Sequence, residues 1–175
     1  MKTSEPITVW PALGIEVSSD RKRTWVARAA EHEGRVVVEL LDPLPGPSGD
    51  GLVSAIAGWR TAWQVAVIGI DPRSPSATLV APLTAAVLPL QVADAVAMAV
   101  AHGRFQDLLA AGTLRIRGHE GLDQAARQAE ERRLAGSHAV DRYQGVDPAP
   151  LVAAELAVWA LLDAPKPTPF FGAWR

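Results

Sequence analysis

The sequence predicts an α/β domain in which helices flank one mixed β-sheet. Three observations lead there. Strand-like patterns come first and in succession, at 10–18, 24–31 and 35–41, before any helical pattern. From residue 50 onward helical and strand patterns alternate, as crossover connections between parallel strands require. The chain is 49% hydrophobic but only 6% aromatic, and its many alanines and valines suit helices lying close on a sheet. At 175 residues it is long enough for one domain with a sizeable core, placed at 1–164, followed by a proline- and aromatic-rich tail at 165–175.

In the first segment Leu13, Ile15 and Val17 alternate with Gly14 and Glu16, which is the period of a strand. The polar run 19–23 is a turn. Trp25, Val26 and Ala27, then Val36, Val37 and Val38, mark two further strands joined at 32–34, so the three form an antiparallel meander. Prolines and glycines make 43–49 a loop, and Asp50 is placed to cap a helix ending near Trp63. Leu52, Ile56, Trp59 and Trp63 give that helix one apolar face. Segment 64–70 is apolar without alternation, the mark of a strand covered on both sides, and it stops at Asp71-Pro72. A short helix at 77–85, a short strand at 87–90 and a long Ala/Val-rich helix at 93–111 follow, with Gly112 ending the last. A strand at 114–117, an exposed helix at 120–134 and a short edge strand at 139–143 come next. The final helix starts after Asp147-Pro148 and runs to about residue 162. A meander followed by crossover helices is the ribonuclease H-like layout.

Composition narrows the chemistry. There is no cysteine, so disulfides and thiolate metal sites are excluded, and any metal must be held by oxygen or imidazole. A net charge of -2 does not by itself announce affinity for a polyanion. The arginine clusters at 21–23, 115–117 and 127–133 suit phosphate binding, but such clusters more often mark solvated helix and loop faces. No apolar run reaches the ~18 to 20 residues of a membrane span, and the first six residues hold no signal-like stretch. A soluble protein without membrane partners is the expectation. Neither a P-loop nor a Gly-x-Ser-x-Gly elbow is present, so P-loop nucleotide hydrolysis is excluded.

Three carboxylates occupy unusual places: Glu16 in the first strand, Asp71 at the end of a buried strand, and Asp147 ahead of the last helix. Carboxylates at buried strand ends need a positive partner. Two magnesium ions roughly 3.5 to 4 Å apart supply one, and activate water toward a phosphodiester. Without a cation such a cluster repels itself, so removing one carboxylate is expected to cost no stability. Each residue also has a plain structural reading: Asp71-Pro72 as a turn, Asp147-Pro148 as a helix start, and Glu16 as a solvent-facing strand residue.

Three segments carry a resemblance beyond spacing: 14–21 (Gly-Ile-Glu-Val-Ser-Ser-Asp-Arg), 67–72 (Val-Ile-Gly-Ile-Asp-Pro) and 146–154, which opens Val-Asp-Pro-Ala-Pro. They resemble the three acidic motifs of large-terminase nuclease domains from tailed phages of actinobacteria, and 101–107 and 114–119 resemble the intervening helix and strand. The resemblance spans 13–162. It implies a ribonuclease H-like fold, a two-metal endodeoxyribonuclease, and Glu16, Asp71 and Asp147 as catalytic ligands of Mg2+ or Mn2+; Asp20, a few residues along the same strand-turn, is a candidate supplementary carboxylate whose place before three basic residues favours a structural turn role. It further implies double-stranded DNA as substrate, concatemeric phage genomes being cut during packaging. Terminase ATPase domain and portal are the implied partners, in the cytoplasm of the bacterial host. The family has aspartate in the first motif, where this chain has Glu16. One added methylene moves the carboxylate by about 1.5 Å, so a catalytically weakened domain that binds DNA or a packaging partner is the alternative reading. His119 stands where this family often has histidine, with a helix-start or packing role as its plain reading, whereas His32, His102 and His138 show no constellation. Phe170, Phe171 and Trp174 in the tail are candidate anchors for a partner groove, or a lid folded on the domain.

Overall fold

Alternation of side chains along the first strand decides which helices cover which face of the sheet. In the computed structural model, which describes residues 10–47, 49–143 and 145–165, strand β1 (Ala12–Val17) sits in the middle. It pairs antiparallel with β2 (Arg23–His32), which pairs antiparallel with β3 (Arg35–Leu40). A two-residue strand, β4 (Leu44–Pro45), adds to the start of β2. On its other side β1 runs parallel to β5 (Val67–Ile70), and β5 to β6 (Leu90–Val92), while β7 (Leu114–Arg117) runs parallel to β3. The order β6-β5-β1-β2-β3-β7 is the expected ribonuclease H-like mixed sheet.

Leu13, Ile15 and Val17 face one way, into a core shared with helices α1 (Gly49–Trp63) and α2 (Ala77–Ala85). Ala12 and Gly14 face the other, toward α5 (Ala149–Asp163). On β5, Ile68 and Ile70 share the first face and Gly69 the second. The same period of two turns Glu16 and Asp71 to the α5 side. Helices α3 (Ala95–Ala110) and α4 (Glu120–Gln128) pack over α5, which is buried from Ala149 to Ala160. None of the described helices is long and apolar enough to cross a membrane.

Small residues permit this burial. A Cβ on Gly14 would lie 2.1 Å from the Ala153 carbonyl oxygen and 2.3 Å from the Ala157 nitrogen, and one on Gly69 would lie 2.8 Å from the Leu156 oxygen. Helix and sheet backbones therefore touch directly on the two strands whose C-terminal ends carry Glu16 and lead into Asp71.

Four boundaries differ from the sequence expectation. Gln64 adopts a left-handed φ of 55° past the end of α1, so the buried strand starts at Val67, not residue 64. Val87 is left-handed as well, with φ 54°, which delays the next strand to Leu90. Asp50 lies inside the first turn of α1, where its charge favours the helix dipole, and is not the residue ahead of it. The helix expected over 120–134 stops at Gln128. Ala135 and Gly136 both take positive φ, 49° and 81°, forming a two-residue hairpin loop that folds β8 (Glu131–Leu134) onto β9 (Ser137–Val140). The edge strand expected at 139–143 is this second hairpin arm, in its own two-stranded sheet. The tail aromatics Phe170, Phe171 and Trp174 lie outside the described residues.

Gly14→Ala should therefore destabilise the protein by about 2 kcal/mol or more through overpacking. Gly58→Ala, in α1 with nothing within 4 Å of the added Cβ, should stabilise it by about 0.5–1 kcal/mol. Urea unfolding of both variants checks the pair, and equal effects would contradict the close approach.

Candidate functional site

Parallel pairing of β1 with β5 ends in the partners Ile15 and Ile70, so the next residues along them, Glu16 and Asp71, stand together at the C-terminal ends of two central strands. Both are almost fully buried, at 1% and 3% exposure. Two neighbouring buried carboxylates require positive charge. Arg142, 7% exposed and just beyond β9, provides it. Its Nε lies 2.8 Å from Glu16 Oε1 and its Nη2 lies 2.9 Å from Asp71 Oδ2. The self-repelling acidic cluster expected from sequence is thereby corrected, because a guanidinium stands between the acids.

The remaining carboxylate oxygens are held by the turn after β5. Ser74 and Ser76 donate their hydroxyls to Glu16 Oε2 at 3.0 and 3.1 Å. The Ser76 hydroxyl oxygen accepts from the Val17 amide, locking turn to strand. Asp71 Oδ1 accepts from the Arg73 amide at 2.8 Å, so the turn reading of Asp71 holds alongside its ion pair. Burial pushes the Glu16 carboxyl up to about 7, against the opposing pull of Arg142 and the two serine hydroxyls, and Asp71 adds to the rise. Burial also works against the Arg142 charge, and Glu16 and Asp71 outweigh it, so its pKa moves up. Glu16 Oε1 and Asp71 Oδ2 have Arg142 nitrogens as their close partners.

Asp147 lines the same narrow crevice as Glu16, Ser19, Pro75 and Arg142, a gap with no room for a water molecule. Its Oδ1 accepts from the Ala149 amide at 3.1 Å, starting α5, and its Oδ2 accepts from Trp25 Nε1 at 3.3 Å. Asp20, the candidate supplementary carboxylate, has the turn role that its place before three basic residues favoured. It accepts from the Ser18 hydroxyl and the Lys22 amide, which hold its pKa down. His119 is the residue ahead of α4, its Nδ1 accepting from the Gly121 amide, and its ring meets Trp25 edge-on at 5.8 Å.

Hard oxygen donors are the right type for Mg2+ or Mn2+. Among the described residues, however, no three His, Asp, Glu or Cys side chains are grouped to hold a metal. The two closest acids are committed to Arg142, so as arranged they do not fit a divalent ion.

Sequence reasoning missed a second polar cluster next to this one. His102, on α3, joins Glu155 of α5 through Nδ1 at 2.9 Å and Glu131 of β8 through Nε2 at 3.0 Å. Its expected lack of any constellation is therefore corrected. Burial pushes Glu155 up, with His102 and Arg142 opposing, and the Glu155 and Glu131 carboxylates raise His102 to about 9. The signal was faint: His102 and Glu155 lie 53 residues apart, and Glu131 was read as helix surface. Arg142 had a better one, standing five residues before Asp147 in a chain whose buried acids needed a counter-charge.

No family profile and no curated protein sequence matches this chain. Solved structures do. The large terminase nuclease of thermophilic phage G20c superposes with a TM-score of 0.69 at 12% identity, over 85% of this chain and 81% of that one. The HK97 bacteriophage large terminase gives 0.69 at 16%, over 91% of this chain and 40% of its own length. The human cytomegalovirus terminase nuclease domain, soaked with manganese and inhibitor-bound, gives 0.53 at 9%, over 90% and 86%. The G20c nuclease has also been solved with magnesium and with cobalt. The fold is thus that of terminase nuclease domains, the ribonuclease H-like fold.

Two outcomes follow from these contacts. Asp71→Asn should lower stability by about 2 kcal/mol or more in urea unfolding, since it leaves Arg142 with one acid; unchanged or raised stability would restore the self-repulsion picture. His102 holds its proton up to about 9 when folded, against an ordinary 6.5, so its contribution is complete below 6.5 and is lost as pH rises through 9. Stability measured at both ends of that window should fall in the parent and fall less in His102→Gln, and equal slopes would remove His102 from the pH response.

Proposed function

We propose that this chain is a DNA-cleaving domain of the large-terminase type, hydrolysing phosphodiester bonds of duplex DNA during genome packaging. The observation that carries the reading is the meeting of Glu16 and Asp71 at the ends of adjacent parallel strands, with Asp147 on the same crevice, in a terminase nuclease fold. Exposed Lys22 and Arg73 stand in the two turns that frame this crevice, and exposed Arg23 starts β2 beside them, where cationic side chains would meet a phosphate backbone. The reading makes a packaging ATPase and a portal its partners in the host cytoplasm. Magnesium, cobalt and manganese belong to the neighbours' structures. Here Arg142 occupies the place between the acids, so use of Mg2+ or Mn2+ by Glu16, Asp71 and Asp147 depends on its leaving.

The second reading is a binding domain that has given up catalysis, and the Arg142 ion pairs favour it. They satisfy both acids without any metal. Supercoiled plasmid incubated with the protein and Mn2+ separates the two. Nicked and linear products, absent with Asp71→Asn, are expected under cleavage. Intact plasmid with retained DNA binding would establish the second reading instead.

A further inference from the structure

We infer that the bare half of the sheet, on the side away from the acids, is a docking surface for an acidic, amphipathic polypeptide segment of a protein partner. The inference depends neither on cleavage nor on a metal. Its first support is incomplete cover. Strands β3 and β7 pair in parallel, and parallel strands ordinarily lie under other elements on both faces. Val36, Val38 and Leu114 are buried on the side of α3 and α5. The opposite face presents Val37 and Glu39 of β3, Arg115 and Arg117 of β7, and Arg28 and Ala30 of β2, and all six are half-buried or exposed. Helix α1 borders this half, where its last residue Trp63, stacked on Trp59, receives the Arg28 guanidinium 4.5 Å from its ring centre.

The second support is charge. By the register of the strands, Arg28, Arg35, Arg115 and Arg117 all lie on the bare face, with Glu39 as the acid among them. Glu39 pairs with both Arg28 and Arg117, the latter at 2.9 Å. Positive charge is therefore in excess on this face, even with Glu31 at its rim, in a chain whose net charge is -2. A hollow of about 270 Å³ lies there, floored by Ala30 and Val37 and ringed by Arg28, Glu31, Glu39 and Arg117.

The third support separates a polypeptide from nucleic acid. Phosphates would use the guanidinium groups and leave the apolar floor and the tryptophan wall without a partner. A segment with apolar side chains toward the hollow and carboxylates toward the arginines uses both, and arginine beside aromatic rings is the composition of protein interfaces. Glu16 and Asp71 turn to the α5 side of the sheet, so a duplex held at their crevice is not led onto this face.

Fluorescence anisotropy of a labelled amphipathic peptide, with leucine on one helical face and glutamate on the other, titrated with the full chain tests the surface. Binding is expected, weakened about tenfold or more when Arg115→Glu and Arg117→Glu are combined, and weakened by added salt. The same peptide with lysine in place of glutamate should bind about tenfold more weakly or not at all. A second measurement uses the parent alone and does not depend on the variant folding. In 15N-labelled protein the amide shifts caused by the glutamate peptide should concentrate on β2, β3 and β7. Equal affinity in parent and variant, equal binding of the lysine peptide, or shifts centred elsewhere overturns the inference. So does a duplex oligonucleotide that shifts β3 and β7 where the peptide does not, which would make the face a nucleic-acid surface. A parent that is dimeric by light scattering while the double variant is monomeric would make it a contact between copies, and overturns the inference too.

Discussion

The ion pairs of Arg142 with Glu16 and Asp71 are the constraint around which the site is organised. Parallel pairing of β1 and β5 forces two carboxylates together away from water, and a fold with that register must supply positive charge at that spot. Here a side chain supplies it. The choice has structural consequences: the connection before α5 must pass the C-terminal ends of β1 and β5 to deliver Arg142, and the hairpin leading into it is anchored by Glu131 on His102. His102 in turn meets Glu155, whose charge Arg142 also stabilises, so buried charged groups continue from the acidic pair into the helical layer.

Packing fixes the same geometry from the other side. Gly14 and Gly69 let the backbone of α5 rest on the two strands that end in the acids. That approach sets the height of the helix start, where Asp147 accepts from Ala149 and from the Trp25 indole. Trp25 also touches His119 at the start of α4. One aromatic ring thus relates the first residues of two helices to a central strand, and Asp147 is oriented by these contacts without any cation.

Much of this was legible in the residues. The meander and crossover order follows from hydrophobic periods, whereas the shared face of Glu16 and Asp71 rests on the β1–β5 register that sets Gly14 opposite Gly69. Local chemistry also explains what was misread. Residues 130–134 have helix-like charge patterning, yet Ala135-Gly136 turns them back as a hairpin, and an alanine gives little warning of positive φ. Arg142 and His102 were hidden for another reason. Their partners are 126 and 53 residues away in sequence for Glu16 and Glu155 respectively, so only the folded arrangement reveals the charge they answer. Asp20, near Glu16 in sequence, has the turn role favoured by the three basic residues after it, accepting from the Ser18 hydroxyl and the Lys22 amide.

The account stands on Arg142 and Asp71 acting as one energetic unit. A double-mutant cycle of Arg142→Met and Asp71→Asn, with stabilities from urea unfolding at neutral pH, measures that directly. The predicted result is a coupling of about 2 kcal/mol or more, the double variant being more stable than the two single losses would sum to. Losses that add to within about 0.5 kcal/mol would show that the two residues act independently, and would contradict the central role given to this ion pair.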